Sequence, residues 1–247
     1  IAGDDDQSIF KWAGANPEDL IGLQGHRYIL DKSHRVPAAV HKIATKLINK
    51  VKNRIPKVWK PKARATQYGI IKDAEGLAHG TVTHHANRGS VYKSIQNDRR
   101  EWLVLARDNY TLEQIADEMK TKGFYFSIHG QPSVSTKRLT AIMAWTDLCK
   151  NKKSISLDRV RTMYHYMTVK KGVAYGHKGL THADPDNLYS YEQLSVYHGL
   201  LIPRHRIWHH ALDRMPAHEI TYIVSLLRRQ EKLNQEPRIN LSTIHGA

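Results

Sequence analysis

The stretch formed by residues 102–128 constrains the fold of this chain more than any other. It begins with the apolar run 102–106, continues through a polar turn and a helical pattern, and ends with a second apolar run, 124–128. The apolar residues of the middle segment recur at the spacing of one helix face: Leu112, Ile115, Ala116 and Met119. A strand, a helix and a strand within about 30 residues form a unit whose two strands lie parallel in one sheet. The sequence therefore predicts an α/β fold.

The helix within this stretch has predicted ends. Thr111 and Gln114 have the spacing of a capping box, in which each side chain bonds the other residue's backbone N–H. Gly123 is placed to end the helix, because glycine readily adopts the left-handed conformation that closes many helices.

From residue 135 onward the pattern becomes helical. One predicted helix carries Leu139, Ile142, Met143 and Leu148 on one face, and the next carries Leu157, Val160, Met163, Tyr164 and Met167. Ser156 is a predicted cap of the second helix, Ser190 with Gln193 opens a third, and Pro216 begins a fourth with Ile220, Ile223, Val224 and Leu227. Residues 170–190 are rich in Gly, His and Asp and predict a loop. We identify no catalytic constellation in this helical part.

The two ends of the chain add shorter elements. Asn16 and Pro17 predict the start of a short helix, and residues 28–30 predict a brief strand. A clear amphipathic helix follows Pro37, with an apolar face of Val40, Ile43, Ala44, Leu47, Ile48 and Val51. Residues 69–71 and 80–83 are short β-like runs, and residues 238–247 predict a last strand and a turn.

The net charge of the chain indicates which class of partner it binds. The chain has 38 Lys and Arg against 23 Asp and Glu, a net charge of +15. Such a surplus favours a polyanion, most often nucleic acid, although a chain can also be basic for solubility alone. Residues 50–65 are strongly basic, and Pro56 and Pro61 prevent a helix there. They predict a flexible loop that either binds phosphates or is merely solvated.

The sequence gives little support to a disulfide-bonded, a metal-binding or a membrane protein. The single cysteine, Cys149, excludes an internal disulfide framework, and its apolar neighbours predict a buried, inert thiol. The sixteen histidines show no metal-ligand spacing, so no metal site is predicted from them. No signal peptide and no apolar run of membrane-spanning length occurs, so we expect no membrane partner and a cytoplasmic protein of a bacterial cell or phage-infected host.

The first fifteen residues contain several polar and aromatic side chains that are suited to ligand binding. An apolar start runs into a Gly-Asp turn, followed by three carboxylates, the amide of Gln7, and the aromatic rings of Phe10 and Trp12. An amide that donates and accepts suits a phosphate oxygen or an attacking water, and flat rings suit stacked bases. The alternative is an acidic turn beside an aromatic pair of the core.

Residues 3–15 closely resemble motif III of the UvrD/Rep/PcrA group of superfamily 1 DNA helicases. That motif reads Gly-Asp-x-x-Gln-Ser-Ile-aromatic-x-aromatic-Arg-Gly-Ala, and Ala13 stands where the family usually has Arg. The resemblance implies that Gln7 approaches the γ-phosphate of ATP, and that Phe10 and Trp12 stack on the bases of single-stranded DNA.

Residues 30–35 resemble motif IV of the same family, usually Leu-x-x-Asn-Tyr-Arg ahead of a helix. Ser33 and His34 replace the usual Asn and Tyr. The resemblance implies that Arg35 reaches the γ-phosphate from the second motor domain and that His34 lies near the nucleotide. By sequence alone, a single Arg at a strand-to-helix junction either holds an anion or is a solvated charge.

Two further segments resemble the family in the family's order. Residues 104–109 match a Val-Leu-x-Arg-x-Asn segment, which implies that Arg107 and Asn109 contact single-stranded DNA. Residues 238–247 resemble motif V, which implies that Thr243 and His245 touch the DNA backbone.

The resemblance also implies a domain organisation. Residues 1–25 would end the first motor domain (1A), residues 26–134 would begin the second (2A), residues 135–236 would form a helical insert resembling subdomain 2B, and residues 237–247 would return to 2A. The implied fold is a RecA-like α/β motor domain, with a parallel sheet and a small inserted all-helical subdomain.

The implied activity is ATP-dependent translocation on single-stranded DNA, 3′ to 5′, with unwinding of duplex DNA. Its cofactors would be ATP and Mg²⁺, with the Mg²⁺ ligands mostly upstream of Ile1. No Gly-x-x-x-x-Gly-Lys-Ser/Thr run exists in this sequence to cradle the phosphates. We therefore expect an interior piece of a helicase that is inactive as an ATPase on its own.

Two other functions remain open from the sequence. The first is a non-enzymatic nucleic-acid-binding module that keeps the helicase fold without the motor. The second is a nuclease whose metal ligands are Asp4, Asp5 and Asp6.

Overall fold

The chain forms two compact units, residues 1–91 and residues 92–247. They are seen in a computed structural model that describes residues 3–7, 14, 16–62, 80–151 and 153–246. The finer division suggested by the sequence, with boundaries after residues 25, 134 and 236, stays a prediction. Within the described residues, no helix is long and apolar enough to cross a membrane.

The described residues of the first unit form short helices joined by irregular chain. A 3-10 helix, Asp5–Gln7, precedes α1 (Pro17–Ile21), which begins where the sequence predicts. Asn16 caps α1, because its Oδ1 accepts the N–H of Glu18 at 3.2 Å. The predicted start of this helix is therefore confirmed.

The described part of the first unit also contains two longer helices. The helix predicted after Pro37 is confirmed as α2 (Ala38–Ile48). α3 (Arg88–Asn97), which the sequence analysis missed, crosses from the first unit into the second. Its pattern is weak because few of its side chains are apolar, and only Tyr92 and Ile95 are buried.

The strand predicted at residues 28–30 is wrong. Tyr28 and Leu30 are 86% and 84% exposed, and the segment pairs with no strand in the described part of the chain. Three apolar residues without a partner strand bury too little surface to order the backbone. The β-like run 80–83 is also irregular, and the run 69–71 lies outside the described residues.

The second unit is built on a mostly parallel sheet, so the predicted α/β class is confirmed. Its strands are β1 (Trp102–Ala106), β2 (Ser127–Ile128), β3 (Gln131–Pro132) and β6 (Ile239–Thr243), in the spatial order β1-β6-β2-β3. β1 and β2 both run parallel to β6, and β3 is antiparallel to β2. The two predicted strands are therefore parallel, but the last strand of the chain lies between them.

The helix between these strands, α4 (Asn109–Thr121), buries the four residues that the pattern predicts. Its predicted cap is wrong. Asp108 caps it instead, because its Oδ1 accepts the Thr111 N–H at 2.8 Å and the helix already begins at Asn109. Gly123 follows the helix at φ 68°, as predicted. A Cβ there would lie 2.9 Å from the Oγ of Ser225, so a side chain would need both an unusual backbone and a shift of its neighbour.

The helical part of the second unit lies between β3 and β6 in the chain. Its elements are α5 (Thr136–Cys149), β4 (Ile155–Ser156), α6 (Leu157–His165), β5 (Leu188–Tyr189), α7 (Tyr191–Tyr197), α8 (Trp208–Ala211) and α9 (Ala217–Arg228). β4 and β5 pair as a small antiparallel sheet. The predicted capping box of Ser190 and Gln193 is confirmed at α7, and α9 begins after Pro216 as predicted.

One hydrophobic core joins these helices, and it corrects two predicted faces. On α5, Met143 is 51% exposed while Trp145 is 2% exposed, because the Trp145 ring packs in the core and its Nε1 donates to Arg206 O there. On α9, Leu227 is 45% exposed, and Tyr222 and Leu226 are buried instead. The predicted face of α6 is buried throughout, although Ser156 occupies its cap position without a side-chain hydrogen bond.

Candidate functional site

The acidic residues near the start of the chain are bound to two basic residues of the 50–65 segment. We call Asp4, Asp5, Asp6, Arg54 and Lys57 the acid–base cluster. Arg54 donates from Nε and Nη2 to the two carboxylate oxygens of Asp6, at 2.9 and 2.8 Å. Lys57 forms ion pairs with all three carboxylates. Two of the cations predicted to bind phosphates or solvent are therefore already paired inside the protein.

The cluster is largely withdrawn from solvent. The side chain of Lys57 is 18% exposed and that of Asp5 only 1%. Burial opposes ionisation of Asp5, but the hydrogen bonds from Lys57 and from the Ile55 N–H, at 2.7 Å, outweigh it and lower the pKa of that carboxyl. The guanidinium of Arg54 is the main cause that lowers the pKa of Asp6. The carboxyls of Asp5 and Asp6 are thus held in the ionised form.

The cluster bears on the nuclease hypothesis. Asp4, Asp5 and Asp6 have carboxylate oxygens within 4.8 Å of one another, which could hold a cation. Lys57 already forms ion pairs with all three carboxylates and Arg54 donates two hydrogen bonds to Asp6, so these two cations offset most of the negative charge of the site. The nuclease hypothesis therefore gains no support from these contacts.

The predicted site residues of motif III lie at and after this cluster. Gln7 is the last residue of the 3-10 helix that also contains Asp5 and Asp6. The cluster therefore fixes the backbone directly before Gln7. Phe10 and Trp12 lie outside the described residues, so the choice between base stacking and core packing stays open.

Arg35 lies in a loop whose backbone is fixed by hydrogen bonds. The Arg35 side chain itself forms no hydrogen bond with the described residues. Ser33 accepts the N–H groups of Arg35 and Val36 at 3.2 and 3.0 Å, and its own N–H donates to Lys60 O at 2.9 Å. His34 and Arg35 are exposed, and within the described residues neither side chain forms a hydrogen bond or an ion pair. An ordered loop with an uncompensated guanidinium is suited to bind an anion.

In the second unit, four predicted DNA-contacting residues meet at one edge of the sheet. We call this the strand-end edge: Arg107, Asn109, Thr243 and His245. β1 and β6 are parallel neighbours, Ala106 is paired with Thr243, and the Ile244 N–H donates to Ala106 O at 3.0 Å. The residues that follow both strands therefore emerge side by side, although 136 positions separate Arg107 from Thr243 in the sequence.

The strand-end edge has the character of an anion-binding surface. Arg107, Asn109 and His245 are exposed, and Thr243 is half-buried. The Arg107 guanidinium forms no hydrogen bond or salt bridge with the described residues. The Thr111 N–H is the main cause that lowers the pKa of nearby Asp108, and the charge of Arg107 adds to it. Guanidinium, amide and hydroxyl groups at one edge can together bind a phosphate backbone.

The sequence analysis missed Arg54 and Lys57 as specific partners. The opposite charges of residues 4–6 and 50–57 were visible, but charge alone does not state which cation pairs with which carboxylate. The roles of the other predicted site residues stay predictions.

A comparison with known proteins finds a distant relative. Over 165 residues, the chain is 24% identical to a protein of Leuconostoc citreum described as an ATP-dependent DNA helicase PcrA. The match covers 61% of this chain and 21% of the relative, so the chain spans about a fifth of that protein's length. No family model matches the chain, and no solved structure matches it. The likeness to a UvrD/PcrA-like helicase is therefore supported at a distant level.

Proposed function

We propose that this chain is part of an ATP-dependent DNA helicase that moves along single-stranded DNA, 3′ to 5′, and unwinds duplex DNA. The observation that carries the proposal is the strand-end edge. Two segments far apart in sequence, which resemble different DNA-contacting motifs, are brought together by the parallel pairing of β1 and β6. The distant similarity to a PcrA helicase supports the same conclusion.

In this proposal, the first unit handles the nucleotide. Arg35 is placed to stabilise the charge that develops on the γ-phosphate, because its guanidinium is exposed and unpaired within the described chain. Gln7 would orient the attacking water, and His34 would lie beside the nucleotide. ATP supplies the free energy of movement, and Mg²⁺ neutralises charge on its phosphates. Phe10 and Trp12 would stack on bases and shift as the cleft between the motor domains closes.

The same proposal keeps the domain division. Residues 1–25 would belong to the first motor domain and residues 26–134 and 237–247 to the second, with residues 135–236 as a helical insert resembling 2B. The sequence has no Gly-Lys phosphate loop, so the isolated chain should hydrolyse no ATP. Its strand-end edge does not depend on that loop, and the isolated chain should still bind DNA.

The test is a titration of the chain with a fluorescent single-stranded oligonucleotide at two salt concentrations. Arg107→Ala should weaken binding about 5-fold or more and lower the slope of log affinity against log salt by about one, because one phosphate contact is lost. Arg99→Ala is the matched control, since Arg99 is exposed and lies before the opposite end of β1. If both variants bind like the wild type, the strand-end edge is not a DNA contact.

A further inference from the structure

The helical part of the second unit contains a cleft that the proposed helicase function does not use. Residues 175–177 and 180–182 form one wall, and Tyr197 and His198, at the end of α7, form the other. The cleft has a volume of about 290 Å³. We call it the tyrosine–histidine cleft, because two tyrosines and three histidines line it: Tyr175, Tyr197, His177, His182 and His198.

The cleft presents aromatic rings to solvent. Tyr175 is 82% exposed and Tyr197 is 71% exposed. Folded proteins normally bury much of a tyrosine ring, which is a large apolar surface. The two rings at the rim of this one cleft offer flat apolar faces on which a ligand can pack.

The backbone around the cleft is well fixed. Leu180, 4% exposed, anchors the loop wall in the core, and the Ala174 N–H donates to Gly199 O at 2.8 Å. Gly199 has φ 70°, and a Cβ there would lie 2.7 Å from Cγ of His177. Only glycine permits this close approach of the two walls. The rings are therefore displayed from a rigid support rather than from a loose loop.

The second wall is held as firmly. The Tyr164 hydroxyl donates to His198 O at 3.0 Å, and the His198 ring packs edge-on against Tyr189 with centroids 5.0 Å apart. His198 is partly buried, and this burial lowers its pKa. Its imidazole is thus mainly neutral near pH 7 and can both donate and accept a hydrogen bond.

The chemistry of the lining narrows the class of ligand. Aromatic faces favour a flat ring, the imidazoles and the Thr181 hydroxyl offer donors and acceptors, and no acidic residue lines the cleft. The volume is near the lower limit for small-molecule sites, which suits one flat ring system. The +15 net charge of the chain favours a ligand attached to an anionic backbone.

We propose that the tyrosine–histidine cleft binds an unstacked base of single-stranded nucleic acid, on the exposed rings of Tyr175 and Tyr197 and against the polar groups of its walls. It would be a second contact for the strand, separate from the strand-end edge. The inference rests on the proposed binding of single-stranded DNA but not on ATP hydrolysis or movement.

The test compares two oligonucleotides of equal length, one of thymidines and one with an abasic sugar-phosphate backbone. The wild-type chain should bind the thymidine strand more tightly. Tyr175→Ala and Tyr197→Ala should each lower thymidine-strand affinity about 5- to 100-fold, the usual effect of losing a base–aromatic stack, and leave abasic-strand affinity unchanged. Tyr175→Phe, which keeps the ring, should stay near the wild type.

Tyr28→Ala is the matched control, because Tyr28 is 86% exposed and lies in the first unit. Unchanged melting temperatures will exclude loss of folding. The inference is overturned if both alanine variants bind the thymidine strand as tightly as the wild type, or lose affinity for both strands equally. Arg107→Ala should weaken both strands, so failure of the strand-end edge and failure of the cleft give different results.

Discussion

The two compact units of this chain are stabilised in different ways. Among the described residues of the first unit, Asp5 is the only buried one, and the apolar face of α2 stays open, with Val40, Ile43 and Leu47 at 41%, 44% and 60% exposure. In the second unit, the largest buried side chains include Trp145, Tyr164 and Phe126. In its described part, the first unit is joined by directed charge pairs, whereas the second unit removes much apolar surface from water.

This difference has consequences for how each unit responds to its surroundings. Hydrophobic burial is non-directional and insensitive to pH, whereas ion pairs weaken when a partner is neutralised or screened. The candidate nucleotide residues lie in the unit that depends on charge, and the strand-end edge lies in the unit with the large core. Perturbations of charge should therefore act mainly on the first unit, although the second also has ion pairs, such as that of the buried Glu219 with Arg138.

The largest expected effect is in the core. Trp145→Ala should lower the free energy of unfolding of the second unit by about 3–5 kcal/mol, because it leaves a cavity and removes the 2.8 Å hydrogen bond from Nε1 to Arg206 O. Met143→Ala, two residues earlier on α5 and 51% exposed, is the control and should cost much less. Urea unfolding followed by circular dichroism measures both. Equal costs would mean that the α5 face is assigned wrongly.

The next effect is in the acid–base cluster. Lys57→Ala removes the cation that three carboxylates share, and should destabilise this part of the first unit by about 1.5–3 kcal/mol. Hydrogen exchange of the Ile55 amide, which donates to Asp5, reports that change directly. Lys52→Ala is the control, since Lys52 is exposed. Unchanged Ile55 exchange in Lys57→Ala, or faster exchange in the core of the second unit, would contradict the comparison.

Acid should act on the same cluster. The pKa values of Asp5 and Asp6 are lowered from 3.8, so their ion pairs contribute fully above that pH and are lost as pH falls through the folded-state values. The pKa of Lys57 is raised from 10.5, so its contribution is complete below that value. Ile55 exchange, corrected for its intrinsic pH dependence, should be constant from about pH 5 to 8 and rise below about pH 4. Protection that persists at pH 2 would show that other contacts hold the segment.

The smallest expected effect is a difference in stability between substitutions of two serines at helix N-termini. Ser190→Ala should cost about 1 kcal/mol, because Ser190 accepts the Gln193 N–H and its own N–H is bound by the Gln193 side chain. Ser156→Ala should cost less, because Ser156 occupies the cap position of α6 without a side-chain hydrogen bond. Thermal unfolding of the two variants compares them, and a larger loss for Ser156→Ala would contradict the assigned caps.

Local chemistry in the sequence predicted local structure well. The faces of α4 and α6 and the capping box at Ser190 follow from spacing alone, because the residues that decide them are neighbours. Asp108 and Thr111 are both able to cap a helix, and only the backbone geometry decides between them. The short run 28–30 has the composition of a strand but no partner among the described residues.

Contacts between residues far apart in the chain could not be predicted from the sequence patterns. β6 lies between β1 and β2 in the sheet, although it follows the whole helical part in the chain. No periodicity in the sequence predicts which strands are neighbours. The contacts of Arg54 and Lys57 with residues 4–6 likewise depend on how a distant loop folds back. The tyrosine–histidine cleft is formed by residues of one predicted loop and of α7, and their spacing gave no sign that they meet.

ATP hydrolysis tests the helicase proposal most directly. The measurement is the DNA-stimulated turnover of the helicase of which this chain is proposed to be a part, in wild-type, Arg35→Ala and Lys32→Ala forms. Arg35→Ala should lower turnover about 10²-fold or more, since it removes a charge aimed at the transferring phosphate, and should leave DNA binding without nucleotide unchanged. Lys32→Ala, exposed in the same loop, should stay near the wild type. Near-normal turnover of Arg35→Ala would remove Arg35 from the site and contradict the proposal.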